Sequence, residues 1–350
     1  MGKKIIAIIL IIIMVFNLGA CSNIKEKRYQ ASFLDVFDTV TTIVGYDKNK
    51  EEFARHAQMI HDKLKEYHEL YDIYNNYDGI NNIKTINDNA GKSPIKVDSK
   101  IIDLLKFSKE AYKLLDGKLN VALGAVLAVW HDYREAGLND PDKAVLPPMD
   151  VLKEKSKHTD INDLIIDEAK STVYLKDPEM SLDVGAIAKG YATEKVCEYI
   201  SKEGFTNGTI SVGGNVRTIG SKLEGKNKEE AWSIGIQNPD LESKDKNLCI
   251  LNLKDYSLVT SGVYERYYTV NGKQYHHIID PDTLMPAEYF LSVSIVCKDS
   301  GMADALAKVF NMPYEQGLKL IESLKDTEAL WVFKDGSMKS SPGFDKFIRK

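Results

Sequence analysis

Asp183-Val184-Gly185-Ala186-Ile187-Ala188-Lys189-Gly190-Tyr191-Ala192 places an acid, a lysine and two glycines in a run that is otherwise small and apolar. A lone carboxylate and a lone ammonium are costly to enclose unless they pair with each other or bind something. The glycines let a ligand come close to the backbone. From Ile187 to Tyr199 the apolar residues continue at helical spacing, so the stretch reads as a loop-to-helix junction. A helix start with a nearby lysine suits a phosphate-bearing ligand. The same residues also fit a plainer reading, a tight turn capped by Asp183 with Lys189 snorkelling to solvent.

Helices and strands flank this junction without strict alternation. Glu51–Tyr74 repeats apolar residues at helical spacing, and Ser99 reads as the N-cap of a helix to about Leu115, closed by Asp116-Gly117. Leu119–Trp130 fits either a buried helix or a strand. Asp132–Lys157, with Pro141, Pro147 and Pro148, reads as an excursion holding one short helix. Strands are predicted at Phe33–Tyr46, around Gly208–Ile219, Trp232–Ile236, Leu248–Leu253, Ser257–Thr260, Ser292–Cys297 and Ala329–Phe333. Leu164–Leu175 reads as a hairpin, and Asn271-Gly272 predicts another between Val263–Val270 and Lys273–Ile279. Gly301–Asn311 and Tyr314–Ser323 read as helices. This mixture favours an α+β fold, two lobes sharing one complex domain, over a doubly wound sheet.

The N-terminus sets the compartment. Lys3 and Lys4 precede an apolar run from Ile5 to Phe16 and then Leu18-Gly19-Ala20-Cys21. A short charged region, an apolar segment of this length and small residues at its end read as an export signal. The run is short for a bilayer span. Its ending resembles the bacterial lipobox, which implies lipidation of Cys21 and cleavage before it. The expected organisation is a signal peptide over 1–20, a lipidated tether over 21–31 and one catalytic domain over 32–350. The protein is then membrane-anchored through its lipid on the exported face.

The net charge of −5 argues against nucleic acid as a partner. Cys197, Cys249 and Cys297 lie far apart in the chain, show no metal-ligand spacing and allow at most one disulfide.

Further motifs carry chemistry. Gly213-Gly214-Asn215-Val216 follows a predicted strand, where the glycines permit backbone conformations closed to other residues, or a bulge. Thr260-Ser261-Gly262-Val263-Tyr264-Glu265-Arg266 comes next, then His276-His277-Ile278-Ile279-Asp280-Pro281 and Ala303-Asp304-Ala305-Leu306. His277 beside an Asp-Pro turn suits a general base, or a structural histidine. Asp304 opens a small-residue helix, where a carboxylate caps backbone or binds a hard cation.

Together and in this order, the motifs resemble the FAD:protein FMN transferases, the ApbE-type flavin transferases, from about Phe37 to about Phe333. The resemblance implies an enzyme that binds FAD as substrate with Mg²⁺. It moves the FMN moiety onto a Thr or Ser hydroxyl of an acceptor protein in a membrane or exported redox system, and AMP leaves. It further implies that Asp183 and His277 are catalytic. Phe37, Tyr77, Lys118, Leu119, Asn120, Asp183, Lys189 and Ile278 would contact FAD, and Asp304 and the carbonyl of Ala186 would hold the metal. Tyr74 competes with Tyr77 for the adenine-side position.

Two departures from the family pattern matter. Asp280-Pro281-Asp282-Thr283-Leu284 has leucine where the turn usually has glycine, which is tolerable if φ at Leu284 stays negative. Lys308 stands where the family has a metal-binding threonine. Two alternatives use the same pocket: a flavin-binding lipoprotein without transferase activity, and an FAD pyrophosphatase.

Overall fold

The computed structural model describes residues 26–224 and 229–350. An eight-stranded sheet forms its spine, and every strand pairs antiparallel with the next sheet strand along the chain. In order these are Lys27–Val36, Thr39–Asp47, Gly208–Val212, Asn215–Ile219, Ser257–Gly262, Phe290–Cys297, Glu328–Phe333 and Met338–Ser340.

Phe290–Cys297 is buried along nearly its whole length because both faces of the sheet are covered. Val293, Ile295 and Cys297 join the main core with the helices, while Val296 joins Leu258, Leu330, Phe344 and Phe347 on the other side. Apart from the 3₁₀ segment Phe344–Phe347 after the last strand, the remaining described elements are inserted between sheet strands, which makes this an α+β fold. The longest insertion carries the helices Lys50–Tyr71, Ser99–Leu114, Gly124–Asn139 and Ala188–Lys202. Lys50–Tyr71 forms because Phe53, Ile60, Leu64 and Tyr67 recur on one buried face and the Asn49 side chain accepts from the Glu52 N–H at 2.8 Å. A smaller apolar cluster joins Trp130 of Gly124–Asn139 to Tyr268, Val270, Ile279 and Leu284.

Several expectations change in detail. Phe33–Tyr46 is not one strand; Lys27–Val36 and Thr39–Asp47 form a hairpin, with both turn residues, Phe37 and Asp38, at positive φ of 54° and 50°. The first sheet strand begins at Lys27, inside the span 21–31 expected as a tether. Asp98, not Ser99, caps the next helix, its carboxylate accepting from the Lys100 N–H at 2.8 Å. The ambiguous run Leu119–Trp130 becomes helical from Gly124, and that helix continues into the expected excursion as far as Asn139. Gly301–Asn311 divides into an α-helix, Ser300–Leu306, and a 3₁₀ segment, Ala307–Asn311. Gly213 and Gly214 form a two-residue hairpin turn, not a bulge, at φ of 55° and 89°. Leu284 departs from its expected conformation, with φ at +59°.

Cys197, Cys249 and Cys297 are free thiols. Among the described residues no helix is long and apolar enough to cross a membrane. Cys21 and the export signal lie outside the described residues.

Candidate active site

Two hairpin turns meet at one end of the sheet. Phe37-Asp38 and Gly213-Gly214 lie on neighbouring hairpins, because Thr41 pairs with Val212 and the Gly213 N–H donates to the Val40 carbonyl at 3.0 Å. A Cβ on Gly213 would sit 2.5 Å from Thr39 Oγ1, so the close approach requires glycine. These turns border a cleft of about 480 Å³, and the other walls come from the Asp183–Lys189 junction, Thr260–Gly262, the helix Gly124–Asn139 and the Asp304–Lys308 segment.

At the junction the Asp183 N–H donates to the Val121 carbonyl, and its carboxylate accepts from the Gly185 N–H, both at 2.8 Å. The carboxylate thus folds the loop that delivers Ala186 and Lys189 to the cleft. The helix that follows has no side-chain cap of its own residues at its start. Asp304 supplies one from another element, its Oδ2 accepting from the Gly190 N–H at 2.8 Å. Burial raises the pKa of both Asp183 and Asp304, with Lys189 and Lys308 opposing the shift. Asp183 nonetheless keeps a window onto the cleft.

His277 stands at the mouth of the cleft, held by its N–H and its Nδ1, which donate to the Arg266 carbonyl at 3.0 and 3.2 Å. A carbonyl only accepts, so Nδ1 carries the proton and Nε2 keeps its lone pair. The enclosing walls, then Lys308, push the imidazole pKa below its ordinary value against the hydrogen bond to the Arg266 carbonyl, although the ring still meets the solvent of the cleft. The neighbouring His276 is used up structurally: its Nε2 donates to the Ala287 carbonyl and its Nδ1 accepts from the Ile278 N–H.

The predicted residues divide into groups. Phe37, Lys118, Leu119, Asn120, Asp183, Ala186, Lys189, His277 and Asp304 all line the cleft. Within it, the Lys118 ammonium is committed to Asp280 at 2.9 Å and Asp282 at 2.6 Å. Asn120 bonds the Thr159 carbonyl and the Ala122 N–H, and Leu119 is nearly inaccessible. Tyr77 does not reach the cleft; its hydroxyl donates to Asp72 at 2.7 Å, and Tyr74 lines the wall instead, its ring 5.4 Å from that of His131. Ile278 is also absent from the lining, because its side chain is buried in the core at 1% exposure.

Trp130, His131 and Arg134 are cleft residues that the sequence reading did not single out, and Arg266, quoted there only as the end of the Thr260–Arg266 motif, joins them. Arg134 donates to His131 Nδ1 at 2.9 Å, one turn apart on the helix Gly124–Asn139. That spacing was present in the sequence but had no meaning until the run was known to be helical.

The ApbE family model matches residues 37–331. The chain belongs to the ApbE family. The FAD:protein FMN transferase of Treponema pallidum is 29% identical, over 97% of this chain and 94% of that protein. The FAD:protein FMN transferase of Klebsiella pneumoniae is 31% identical over 72% of this chain and 75% of its own length. Among solved structures, the ApbE protein of Thermotoga maritima superposes with a TM-score of 0.79 at 27% identity, covering 93% of this chain and all of that one. The flavin transferase ApbE of Vibrio cholerae, at 22% identity and a TM-score of 0.74, shares the fold. In this ApbE-family chain the matched region contains every predicted residue that lines the cleft.

Proposed function

We propose that this protein transfers the FMN moiety of FAD to a Thr or Ser hydroxyl of an acceptor protein and releases AMP. The observation that carries the reading is His277, an imidazole with Nδ1 tied to a carbonyl and Nε2 free, facing a cleft that also presents Lys189. The acceptor oxygen attacks the FMN-side phosphorus, and its proton passes to His277 Nε2. The bond from that phosphorus to the bridging oxygen breaks, and AMP leaves with the electron pair. Such a transfer depends mainly on positioning and on offsetting phosphate charge. Lys189 serves the second need, and Asp183 positions it by folding the junction. Phe37 and Tyr74 offer ring faces for the flavin and adenine ends.

The residues do not fit the Mg²⁺ site expected from the resemblance. Mg²⁺ requires near-octahedral oxygen ligation. Asp304 already spends one carboxylate oxygen on Gly190, the Ala186 carbonyl is the second expected donor, and Lys308 presents an ammonium, which has no lone pair, to the same cleft. The steps above therefore involve only the chain's own groups.

The acceptor belongs, in this reading, to a membrane or exported redox system, reached from a lipid anchor at Cys21. The test incubates purified protein with FAD and a threonine-bearing acceptor and weighs the acceptor. Gain of one FMN unit with equimolar AMP supports transfer. Free FMN and AMP with unlabelled acceptor would identify a pyrophosphatase, and binding without turnover a carrier.

A further inference from the structure

We propose that Lys308 supplies from within the fold the positive charge that a divalent cation would bring to the FAD pyrophosphate, so that this chain binds FAD and transfers FMN without a metal ion. The inference rests on the transferase reading above for its second half.

Lys308 follows Asp304 by one turn, in the segment where the α-helix Ser300–Leu306 tightens to 3₁₀ geometry. Its side chain is half-buried and lines the cleft with Asp183, Lys189, Asp304 and Asn311. Burial lowers the pKa of its ammonium; Asp304 and Asp183 oppose that shift and Lys189 adds to it, all three being groups of this cleft. Yet among the described residues it has no ion-pair partner within 4.0 Å and no hydrogen-bond acceptor. Lys118 shows the contrast in the same cleft, clamped between Asp280 and Asp282. An enclosed ammonium without a partner is costly, and the cost is relieved when an anion enters. Among the described residues Lys189 likewise has no ion-pair partner within 4.0 Å, so two uncommitted cations face the space where a doubly charged pyrophosphate would lie. A divalent ion held at Asp304 would stand next to an ammonium that repels it and gives it no ligand.

The test measures FAD affinity by flavin fluorescence and FMN transfer by acceptor mass, each in EDTA and in Mg²⁺, for wild type, Lys308→Thr and Lys308→Arg. Wild type is expected to bind FAD within about threefold of the same affinity in both conditions. Lys308→Thr should lose about ten- to hundredfold in EDTA and regain it with Mg²⁺, while Lys308→Arg should remain insensitive to the metal. A wild-type affinity that rises about tenfold or more on adding Mg²⁺ overturns the inference, whether or not transfer is seen. Metal-insensitive binding with transfer that appears only in Mg²⁺ overturns its second half. No transfer in either condition counts against the transferase reading, and the binding data still decide the role of Lys308. If the threonine variant does not fold, the wild-type comparison alone decides.

Discussion

The backbone N–H of Gly190 donates to Oδ2 of Asp304 at 2.8 Å, which joins the helix that starts at the cleft to the helix Ser300–Leu306, whose 3₁₀ continuation carries Lys308. The two backbones approach so closely that a Cβ on Gly190 would lie 2.4 Å from Asp304 Cβ and 2.4 Å from the Ser300 carbonyl oxygen. Neither neighbour is the tip of a flexible side chain, so the helices must separate. Gly190→Ala is expected to destabilise the fold by about 1–3 kcal/mol, as overpacking does. The urea midpoint measures the loss, and FAD titration of the folded fraction should show weaker binding. An unchanged midpoint would mean that the helices can slide apart freely.

Lys189→Ala should weaken FAD binding. A charge-assisted contact contributes about 1.5–3 kcal/mol, which is about one to two decades in dissociation constant. Fluorescence titration reads this directly. Equal affinity in mutant and wild type would remove Lys189 from the pyrophosphate site.

His277→Gln should abolish transfer while leaving FAD binding nearly intact, since the ring stands at the mouth of the cleft. The pH dependence has a definite sign. The walls of the cleft, then Lys308, lower the imidazole pKa in the folded state, so the neutral base persists below its ordinary pKa of about 6.5. The acid limb of the rate profile should therefore fall at lower pH than for a free histidine. The same lowering makes the unfolded chain the better proton binder, so the stability contributed by His277 is present above about pH 6.5 and declines as pH falls from there toward the folded pKa. A rate profile that already falls at pH 7 would contradict the assignment of this histidine as the base.

Much of the fold was legible because periodicity and turn chemistry are local. Asn271-Gly272 sits at φ of 50° and 79° between paired strands, as the dipeptide predicts. Phe37-Asp38 was illegible as a turn for the converse reason. Asp38 tolerates positive φ but Phe37 does not favour it, yet both adopt it between two strands that pair from Lys27 to Asp47. Non-glycine residues in this region are strained, and such strain collects at functional sites; here it faces the cleft. Tyr74 and Tyr77 could not be separated in sequence, because the choice depends on Asp72. Its carboxylate accepts from the Tyr74 and Asn75 N–H groups and from the Tyr77 hydroxyl, which turns Tyr77 inward.

Cys21→Ala should yield an unprocessed precursor that takes up no fatty-acid label, as expected if the Leu18–Cys21 stretch is read as a lipobox. Equal labelling of mutant and wild type would end the lipoprotein reading without touching the catalytic one.

Leu284 sets two effects against each other. Its φ of +59° is a conformation that glycine adopts without strain, and the left-handed region costs other residues about 1–2 kcal/mol. Its side chain, however, is 7% exposed in the cluster with Trp130, Tyr268 and Ile279. Removing a buried leucine side chain costs about 2–5 kcal/mol. Burial outweighs strain, so Leu284→Gly should lower stability by about 1–3 kcal/mol despite restoring the family's usual turn residue. The backbone contact would survive, because Trp130 Nε1 donates to the Leu284 carbonyl at 2.9 Å. What loosens is the apolar support under the helix that carries His131 and Arg134 to the cleft, so FAD affinity should fall as well. Thermal and urea unfolding of the variant decide the sign. A gain in stability would show that the turn's strain exceeds the value of the buried side chain.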